Sequence, residues 1–330
     1  MKFVWIILFV LLILLLLWGS FAWGMFQKTL GRYRPKGTPE DRIQGPYAPY
    51  RESLCAGIRW LREQPAQEVE IRSREGLRLR GELLPLENAR GTVLLFHGYH
   101  GDIYMDLGVA ARLYRRLGFQ VLCIHQRAHG KSEGKYLAMG LRERYDAAAW
   151  ADYAARELCP GQKLILAGVS MGAATVLMAS DLPLPEAVKG IVADCGFASP
   201  WEECLYVASH WKPLPYRALL GTANVLCRIF AGYDLREWTA PQSLARTTIP
   251  VCLFHGEEDR FVPVSCSREN YAACASSCQL HLYPGAGHCL SYHVDPARYS
   301  GELADFLDAC CAGEALPGSG EGRFSPQAAR

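Results

Sequence analysis

Five short, continuous apolar runs, separated by segments with helical character, constrain the fold of this chain more than any other feature. The runs are Val93–Phe96, Val121–Ile124, Leu164–Leu166, Ile191–Ala193 and Val251–Phe254. Runs of this kind suit strands that are buried on both faces of a sheet. Helices are expected between and after them, at Leu107–Leu117, Leu141–Leu158, Met171–Ser180 and Ser267–Cys274. Strands that alternate with helices predict an α/β fold with a mostly parallel central sheet, whose ligands bind at the carboxyl ends of the strands.

The flanks of this region carry different patterns. Val69–Ser73 and Leu77–Leu83 alternate apolar and polar residues, which predicts two half-exposed antiparallel strands. A last strand is expected at Gln279–Tyr283 and a last helix at Pro296–Cys311. Tyr50–Glu63 is compatible with a short helix that precedes the sheet.

The third apolar run leads directly into a Gly-x-Ser-x-Gly turn. Gly168 and Gly172 flank Ser170, and the small residues after Gly172 are compatible with a helix. A strand, a sharp turn and a helix form the context in which a nucleophilic serine is held in strained backbone geometry. The flanking residues must then be nearly free of side chain. Because so short a pattern also arises by chance, its value depends on a base and an acid elsewhere in the chain.

Candidates for that base and acid follow two later strands. A serine hydroxyl becomes a strong nucleophile only when a base removes its proton and an acid orients that base. Asp259 lies in the loop after the fifth apolar run, and His288 follows the last predicted strand. Other residues stay open for both roles. The rival acids are Glu257, Glu258 and Asp194; the nearest rival base is His293, whereas His281 lies within a predicted strand and is expected to point away.

Several motifs around these positions resemble one known family. They are His97–Gly101, Gln126–Ser132, Gly168–Gly172, Asp194–Gly196, Gly256–Pro263 and Gly287–His288. From about Val69 to Cys311 the chain resembles the α/β-hydrolase superfamily. Within it, the chain is most similar to membrane-anchored bacterial serine hydrolases of the prolyl-oligopeptidase-like and depalmitoylase-like branch. In this superfamily the order of the catalytic residues is serine, acid, histidine, as it is here.

The resemblance implies a role for each candidate. Ser170 is the expected nucleophile, His288 the base and then the acid, and Asp259 the residue that orients His288. The backbone N–H groups of Tyr99 and Met171 are expected to form the oxyanion hole. The resemblance implies no metal and no organic cofactor.

Histidines in the first half of the chain are expected to be structural. His97 is predicted to hold its loop, and His129 with Arg127 to stabilise a turn. His125 departs from the family pattern, because many relatives carry an aspartate before the Arg-x-His-Gly-x-Ser turn. This departure leaves the three catalytic candidates in place and puts the local hydrogen bonding in question.

The N-terminus carries an almost wholly apolar segment, Phe3–Phe26. At about 1.5 Å per residue, such a helix crosses the ~30 Å hydrocarbon layer of a bilayer. A signal peptide is the alternative, with Ser20–Ala22 as a cleavage site. However, the apolar core exceeds the usual length of about 7–15 residues, and Lys2 is the only basic residue before it. We therefore predict an uncleaved single-pass anchor at residues 1–27, embedded in the cell membrane.

Charge and cysteine usage bear on the compartment. Four basic residues follow the apolar segment closely, which places the catalytic domain in the cytoplasm by the positive-inside tendency: Lys28, Arg32, Arg34 and Lys36. The 13 cysteines are odd in number, scattered and without a Cys-x-x-Cys pair, so free thiols in a reducing compartment are expected. A formal charge of +2 gives no reason to expect nucleic acid as a partner.

The remaining segments complete the predicted organisation. Residues 28–64 are expected to form a linker or loosely packed arm, and residues 65–196 and 249–312 the two parts of the α/β-hydrolase core. Residues 197–248 separate two strands by far more than a usual connection and are rich in aromatics, which predicts a helical lid over the strand ends; a purely structural insertion is the alternative. The tail, residues 313–330, is expected to be disordered.

These observations predict a membrane-anchored serine hydrolase that cleaves an ester or thioester through an acyl-enzyme on Ser170. The aromatic lid and the membrane position favour an apolar acyl group, carried by a small molecule, a lipid or an acylated protein. A serine peptidase of the oligopeptidase-like branch is the second enzyme hypothesis. A non-catalytic, membrane-tethered binding protein is the third possibility.

Overall fold

The computed structural model of the chain describes residues 1–210 and 214–314. Trp211 of the predicted lid and residues 315–330 of the predicted disordered tail lie outside the described residues. The strands are β1 (Gln67–Arg72), β2 (Arg78–Leu84), β3 (Thr92–Phe96), β4 (Gln120–His125), β5 (Leu164–Val169), β6 (Val188–Asp194), β7 (Val251–Gly256) and β8 (Cys278–Tyr283).

The eight strands form one sheet in the order β1-β2-β4-β3-β5-β6-β7-β8. Strands β3 to β8 run parallel, whereas β1 and β2 pair antiparallel with each other and β2 pairs antiparallel with β4. The predicted mostly parallel sheet is therefore confirmed. The expectation of two half-exposed edge strands holds for β1 only, because β2 lies between β1 and β4 and most of its residues are buried.

Helices cover both faces of the sheet. They are α1 (Lys2–Leu30), α2 (Arg51–Glu63), α3 (Ile103–Arg116), α4 (Glu143–Tyr153), α5 (Met171–Ala179), α6 (Pro200–Ser209), α7 (Tyr216–Leu226), α8 (Ala240–Leu244), α9 (Ser265–Ala273), α10 (Ser291–Val294) and α11 (Pro296–Ala312). The helix predicted to run from Leu141 begins at Glu143, whose carboxylate accepts hydrogen bonds from the N–H groups of Ala138 and Gly140. The last predicted turn, Ala154–Leu158, is π-helical.

Helix α1 is long and apolar enough to cross a membrane, a property that signal sequences near an N-terminus share. The last turns of α1, however, pack against the rest of the protein. Ala22, Phe26 and Leu30 are almost fully buried, and the Leu30 carbonyl accepts a hydrogen bond from the Leu137 N–H. The helix thus continues to Leu30, three residues beyond the predicted boundary at residue 27, and its end packs into the domain.

The predicted loose arm is also packed. Ile43 is 2% exposed, and the Tyr33 N–H donates to the Ala128 carbonyl at 2.9 Å. Arg42 forms an ion pair with Asp102, the N-terminal cap of α3. Proline and glycine in this segment produce short 3-10 turns rather than a free linker. Its aromatic and apolar side chains bury against α2 and α3.

The insertion between β6 and β7 divides into two parts. Helix α7, which leads into the π-helical turn Cys227–Ala231, packs on α6 and α1, and residues of α6 and α7 line a cavity with Ser170 at the carboxyl end of β5. Helix α8 instead packs on α5, where Ser243 Oγ donates to the Met178 carbonyl at 2.9 Å. Helices α6 and α7 are therefore the part of the predicted lid range, residues 197–248, that lies near α1 and Ser170.

Candidate active site

Ser170 occupies a strained turn at the carboxyl end of β5. Its φ of 54° and ψ of −118° lie outside the usual regions for a residue with a side chain. A Cβ at Gly168 would overlap the backbone of Gly172, and one at Gly172 would overlap the Phe96 carbonyl. Only glycine fits at either position, so the turn that lifts Ser170 away from the sheet depends on both.

Two further side chains meet the Ser170 hydroxyl in a continuous hydrogen-bonded chain. Ser170 Oγ lies 2.9 Å from His288 Nε2, and His288 Nδ1 lies 2.6 Å from Asp259 Oδ2. Asp259 follows β7 and His288 follows β8, so three loops at one edge of the sheet supply the three groups. The structure thus brings together the residues that the sequence predicted as nucleophile, acid and base. A hydroxyl, an imidazole and a carboxylate so arranged can pass the serine proton to the imidazole.

The rival residues have other partners. Asp194 Oδ2 accepts from the Tyr299 hydroxyl at 3.1 Å, and Glu257 faces Arg268. His281 Nδ1 lies 3.2 Å from a Glu302 oxygen, and His293 packs on the Tyr50 ring. Glu258 is exposed at the protein surface. Among the described residues, His288 alone bridges Asp259 and Ser170; a second histidine, His255, lies 3.4 Å from Asp259 Oδ2 and does not reach the serine.

The Asp259 carboxylate is held in its charged form. Burial opposes that charge, but hydrogen bonds from His255 and His288 and from the Val262 N–H outweigh it and hold the pKa of Asp259 well below its usual range. Oδ1 accepts both the Phe261 and the Val262 N–H groups, at 2.8 and 2.9 Å. The carboxylate therefore has a fixed orientation, with Oδ2 directed at His288.

The pKa of His288 is raised above its usual value. Burial disfavours the imidazolium, whereas Cys195 and Asp259 favour it and prevail. Burial also raises the pKa of the Cys195 thiol well above its ordinary range, so this group is neutral near pH 7. We therefore assign the stabilising charge to Asp259. An imidazolium stabilised in this way suits a group that must accept a proton and return it.

The loop after β3, residues 97–101, faces Ser170 from the other side. The Gly98 N–H donates to Asp106 Oδ2 at 2.8 Å, and a Cβ at Gly98 would lie 3.4 Å from the Ser170 Cβ. Burial raises the pKa of Asp106 to about 7. Met171 begins α5, so its N–H is one of the unpaired donors of a helix N-terminus. Of the two predicted oxyanion donors, Tyr99 thus lies in the loop that faces Ser170, and Met171 lies at the start of α5, directly after the serine.

Sequence reasoning missed Asp106 as a support of this loop, because a single aspartate within a helical pattern reads as a solvated charge.

The histidines that the sequence predicted to be structural form hydrogen bonds with the backbone of the loop after β4. His97 Nε2 accepts from the Gln126 N–H, and His129 Nδ1 pairs with the Arg127 carbonyl. His125, where the family pattern has aspartate, lies 3.3 Å from Glu82 on β2.

Two cysteines lie against the candidate base. Cys195 Sγ and Cys289 Sγ are 3.4 Å apart, and with His288 their ligand atoms lie within 4.8 Å of one another. Such a group could hold a metal ion. However, both His288 nitrogens already face Asp259 and Ser170, so an ion would displace the hydrogen-bonded chain.

Two cavities meet at Ser170, and both also contact Tyr99 and Phe261. The larger, about 900 Å³, extends below α3 and the packed arm and includes polar groups such as Arg42 and His293. The smaller, about 100 Å³, is almost wholly apolar and lies between α1, α6 and α7. The contribution of α1 was not predicted, although the four-residue spacing of its buried Ala22, Phe26 and Leu30 is a helical-face signal.

One buried carboxyl lines the smaller cavity. Glu203 on α6 is 4% exposed, and neither of its carboxyl oxygens has a hydrogen-bond partner within the described part of the chain. Burial raises its pKa to about 8, so the carboxyl is largely uncharged at neutral pH. It can therefore donate a hydrogen bond, or ionise when a cation binds beside it.

Comparisons with known proteins agree with this geometry. An α/β-hydrolase fold family matches residues 91–226, and a serine aminopeptidase S33 family matches residues 227–295. The uncharacterized protein YqkD of Bacillus subtilis is 26% identical over 238 residues, which span 72% of this chain and 78% of that protein. Protein bem46 of Schizosaccharomyces pombe is 24% identical over 250 residues, 73% of this chain and 76% of that protein.

Solved structures give the same fold. An esterase of Pyrococcus furiosus, Pf2001, superimposes with a TM-score of 0.63 at 21% sequence identity, covering 84% of this chain and 97% of that esterase. The sheet order, the strained serine turn and the family matches all lead to one assignment. The comparisons support a hydrolase, and the chain belongs to the α/β-hydrolase superfamily.

Proposed function

We propose that this protein is a serine hydrolase that cleaves a carboxylic ester or thioester with an apolar acyl group. The observation that carries the proposal is the hydrogen-bonded chain from Ser170 Oγ through His288 to Asp259, which ends at the junction of two cavities. An acyl group in the small apolar cavity and a leaving group in the larger one would place a carbonyl carbon at Ser170.

The chemistry follows from the positions of the groups. Ser170 Oγ attacks the carbonyl carbon while His288 Nε2 takes the hydroxyl proton, and the negative charge moves to the carbonyl oxygen. The N–H groups of Tyr99 and Met171 stabilise that oxyanion. When the bond to the leaving group breaks, His288 donates its proton to the departing alkoxide or thiolate.

Deacylation repeats these steps with water. His288 removes a proton from a water molecule, whose oxygen attacks the acyl-enzyme carbonyl. The proton then passes to Ser170 Oγ as the carboxylic acid leaves. Asp259 stays ionised throughout and stabilises the imidazolium that forms in each half of the cycle.

Labelling with a fluorophosphonate tests this function directly. The probe phosphonylates an activated serine, so we expect stoichiometric labelling of the wild type and loss of all labelling in Ser170→Ala. Ser300→Ala, at a half-buried serine on α11, is the control and should label as the wild type does. Absence of labelling in the folded wild-type protein would instead favour the non-catalytic binding protein.

Peptidase activity is the second candidate, and Glu203 is the observation that favours it. A buried carboxyl that lines the cavity at Ser170 and has no hydrogen-bond partner among the described residues is suited to the α-ammonium group of a peptide, and the matched S33 family is described as serine aminopeptidase. If this function is correct, aminoacyl p-nitroanilides should be hydrolysed faster than octanoyl esters, and Glu203→Gln should abolish that preference. Under the esterase proposal octanoyl esters are preferred, and Glu203→Gln leaves the wild-type preference unchanged.

The third part of the proposal concerns location. We propose that α1 anchors the protein in the cell membrane and that the catalytic domain lies in the cytoplasm. The exposed apolar surface of α1, the basic residues after its apolar segment and the free cysteines support this placement. Labelling of the half-buried Cys55 by an impermeant thiol reagent in intact cells would contradict the cytoplasmic side.

A further inference from the structure

The end of α1 is part of the wall around Ser170 as well as an attachment to the domain. Met25, Phe26, Thr29 and Leu30 line the small apolar cavity that ends at Ser170. The Tyr99 hydroxyl donates to the Thr29 carbonyl at 2.7 Å, which ties α1 to the loop that carries a proposed oxyanion donor. The membrane helix and the reaction site therefore share one surface.

Helix α7 forms the opposite wall of this cavity. Leu219, Leu220 and Ala223 line it from the inner face of α7. At about 100 Å³ this cavity is far smaller than the cavity of about 900 Å³ that also reaches Ser170, so it suits only the first part of a long acyl chain. A longer chain must leave the cavity, and α1 and α7 bound it on two sides.

The outer surface of the lid is apolar where it meets α1. Val225, Ile229 and Phe230 are 49%, 66% and 51% exposed, and the Phe230 ring lies 4.9 Å from the ring of Trp23. We call Val225, Ile229 and Phe230 the lid patch. Since the exposed apolar face of α1 continues directly beyond Trp23, the lid patch extends a membrane-facing surface.

The depth of the lid relative to the membrane follows from α1. Trp5 and Trp23 lie 18 residues apart, about 27 Å along a helix, which matches aromatic residues at the two interfaces of a ~30 Å hydrocarbon layer. Trp18 Nε1 donates to Thr222 Oγ1 of α7 at 3.1 Å. Trp18 lies about 7.5 Å deeper than Trp23, so α7 reaches the depth of about 5–10 Å that is typical of interfacial helices.

From these observations we propose that α7 lies in the surface layer of the bilayer, and that a long acyl chain passes from the bilayer between α1 and α7 to Ser170. The substrate class is a long-chain acyl ester or thioester resident in the membrane. This inference rests on the proposed function, because it needs Ser170 to attack an acyl carbonyl. What it adds to the proposed function is the route of the acyl chain, from the bilayer between α1 and α7.

The experiment uses the full-length protein reconstituted in phosphatidylcholine vesicles and two substrates. One is p-nitrophenyl palmitate within the vesicles, and the other is water-soluble p-nitrophenyl butyrate. The double variant Ile229→Ser/Phe230→Ser should lower kcat/KM for palmitate by at least about tenfold, the equivalent of one large apolar side chain removed from an apolar layer. Hydrolysis of butyrate should stay within about twofold of the wild type. Val294→Ser, a control at an apolar position on α10 that is 38% exposed, should change neither rate.

A second pair of variants tests the cavity independently of the lid patch. Ala223→Leu fills the cavity and should lower the ratio of palmitate to butyrate hydrolysis, whereas Ala218→Leu on the exposed face of the same helix should not. The inference is overturned if the lid-patch variant slows both substrates equally or neither. It is likewise overturned if the wild type hydrolyses butyrate but shows no preference for membrane palmitate. A wild type that hydrolyses neither ester and resists fluorophosphonate would overturn the proposed function, and the inference with it.

Discussion

Replacing His288 by alanine is expected to abolish turnover almost completely, with a loss of kcat on the order of 10⁶. Without the imidazole 2.9 Å from Ser170 Oγ, nothing removes the hydroxyl proton during attack, and nothing protonates the leaving group. The loss should approach that of Ser170→Ala, because serine and histidine act as a unit. Hydrolysis of p-nitrophenyl butyrate by each purified variant, with its thermal unfolding midpoint measured in parallel, checks the expectation.

His293→Ala is the matched control for this experiment. His293 lines the larger cavity, follows His288 by five residues and was the nearest rival for the base. Its ring packs on Tyr50 with 5.3 Å between centroids, so its loss removes an aromatic contact of about 0.5–1.5 kcal/mol. We expect activity within about tenfold of the wild type. The reverse result, with His293 essential and His288 dispensable, would refute the assignment of the base.

The agreement between sequence and structure is best for residues that follow strands. Ser170 and Asp259 could be placed because each comes after an apolar run that is typical of a buried parallel strand, and His288 because it follows the last predicted strand, Gln279–Tyr283. The carboxyl ends of parallel strands meet at one edge of the sheet. Backbone sterics made the serine turn recognisable as well, since only glycine fits at positions 168 and 172.

Prediction failed where burial is decided by tertiary packing. Glu203 is a buried carboxyl and Asp106 a half-buried one, and no local pattern distinguishes either from a solvated charge in a helix. The segment around Ile43 looked like a loose arm because proline and glycine dominate it, yet its apolar side chains find a surface on α2 and α3. Helix α1 was predicted as an anchor only, since its overall hydrophobicity hides the stripe that packs against the rest of the protein, α7 included.

Replacing Asp259 by asparagine is expected to lower kcat by about 10⁴, although the two side chains have the same shape. The Phe261 and Val262 N–H groups donate to Oδ1 and will hold the amide oxygen of asparagine in that place. Its NH₂ group then faces His288 Nδ1, where an acceptor is needed. The imidazole must respond by carrying its proton on Nε2, so it can no longer accept the proton of Ser170.

Asp259→Asn should also move the acid limb of the pH dependence of kcat/KM to lower pH. His288 must be neutral to act as a base, and its raised pKa in the wild type means that kcat/KM falls on acidification from a midpoint above the ordinary value of about 6.5. Asparagine removes the negative charge that stabilises the imidazolium, so the pKa of His288 decreases and the acid limb of the profile moves to lower pH.

Asp194→Asn separates this effect from a general loss of buried charge. Asp194 ends β6 and was the rival acid, but its carboxylate accepts from Tyr299 and makes no contact with His288 Nδ1. We expect this variant to keep kcat within about tenfold, the cost of one weakened hydrogen bond, and to leave the acid limb near its wild-type position. An acid limb that moves in Asp194→Asn and stays fixed in Asp259→Asn would show that Asp194 supplies the charge, and that the 2.6 Å contact of Asp259 only positions the ring.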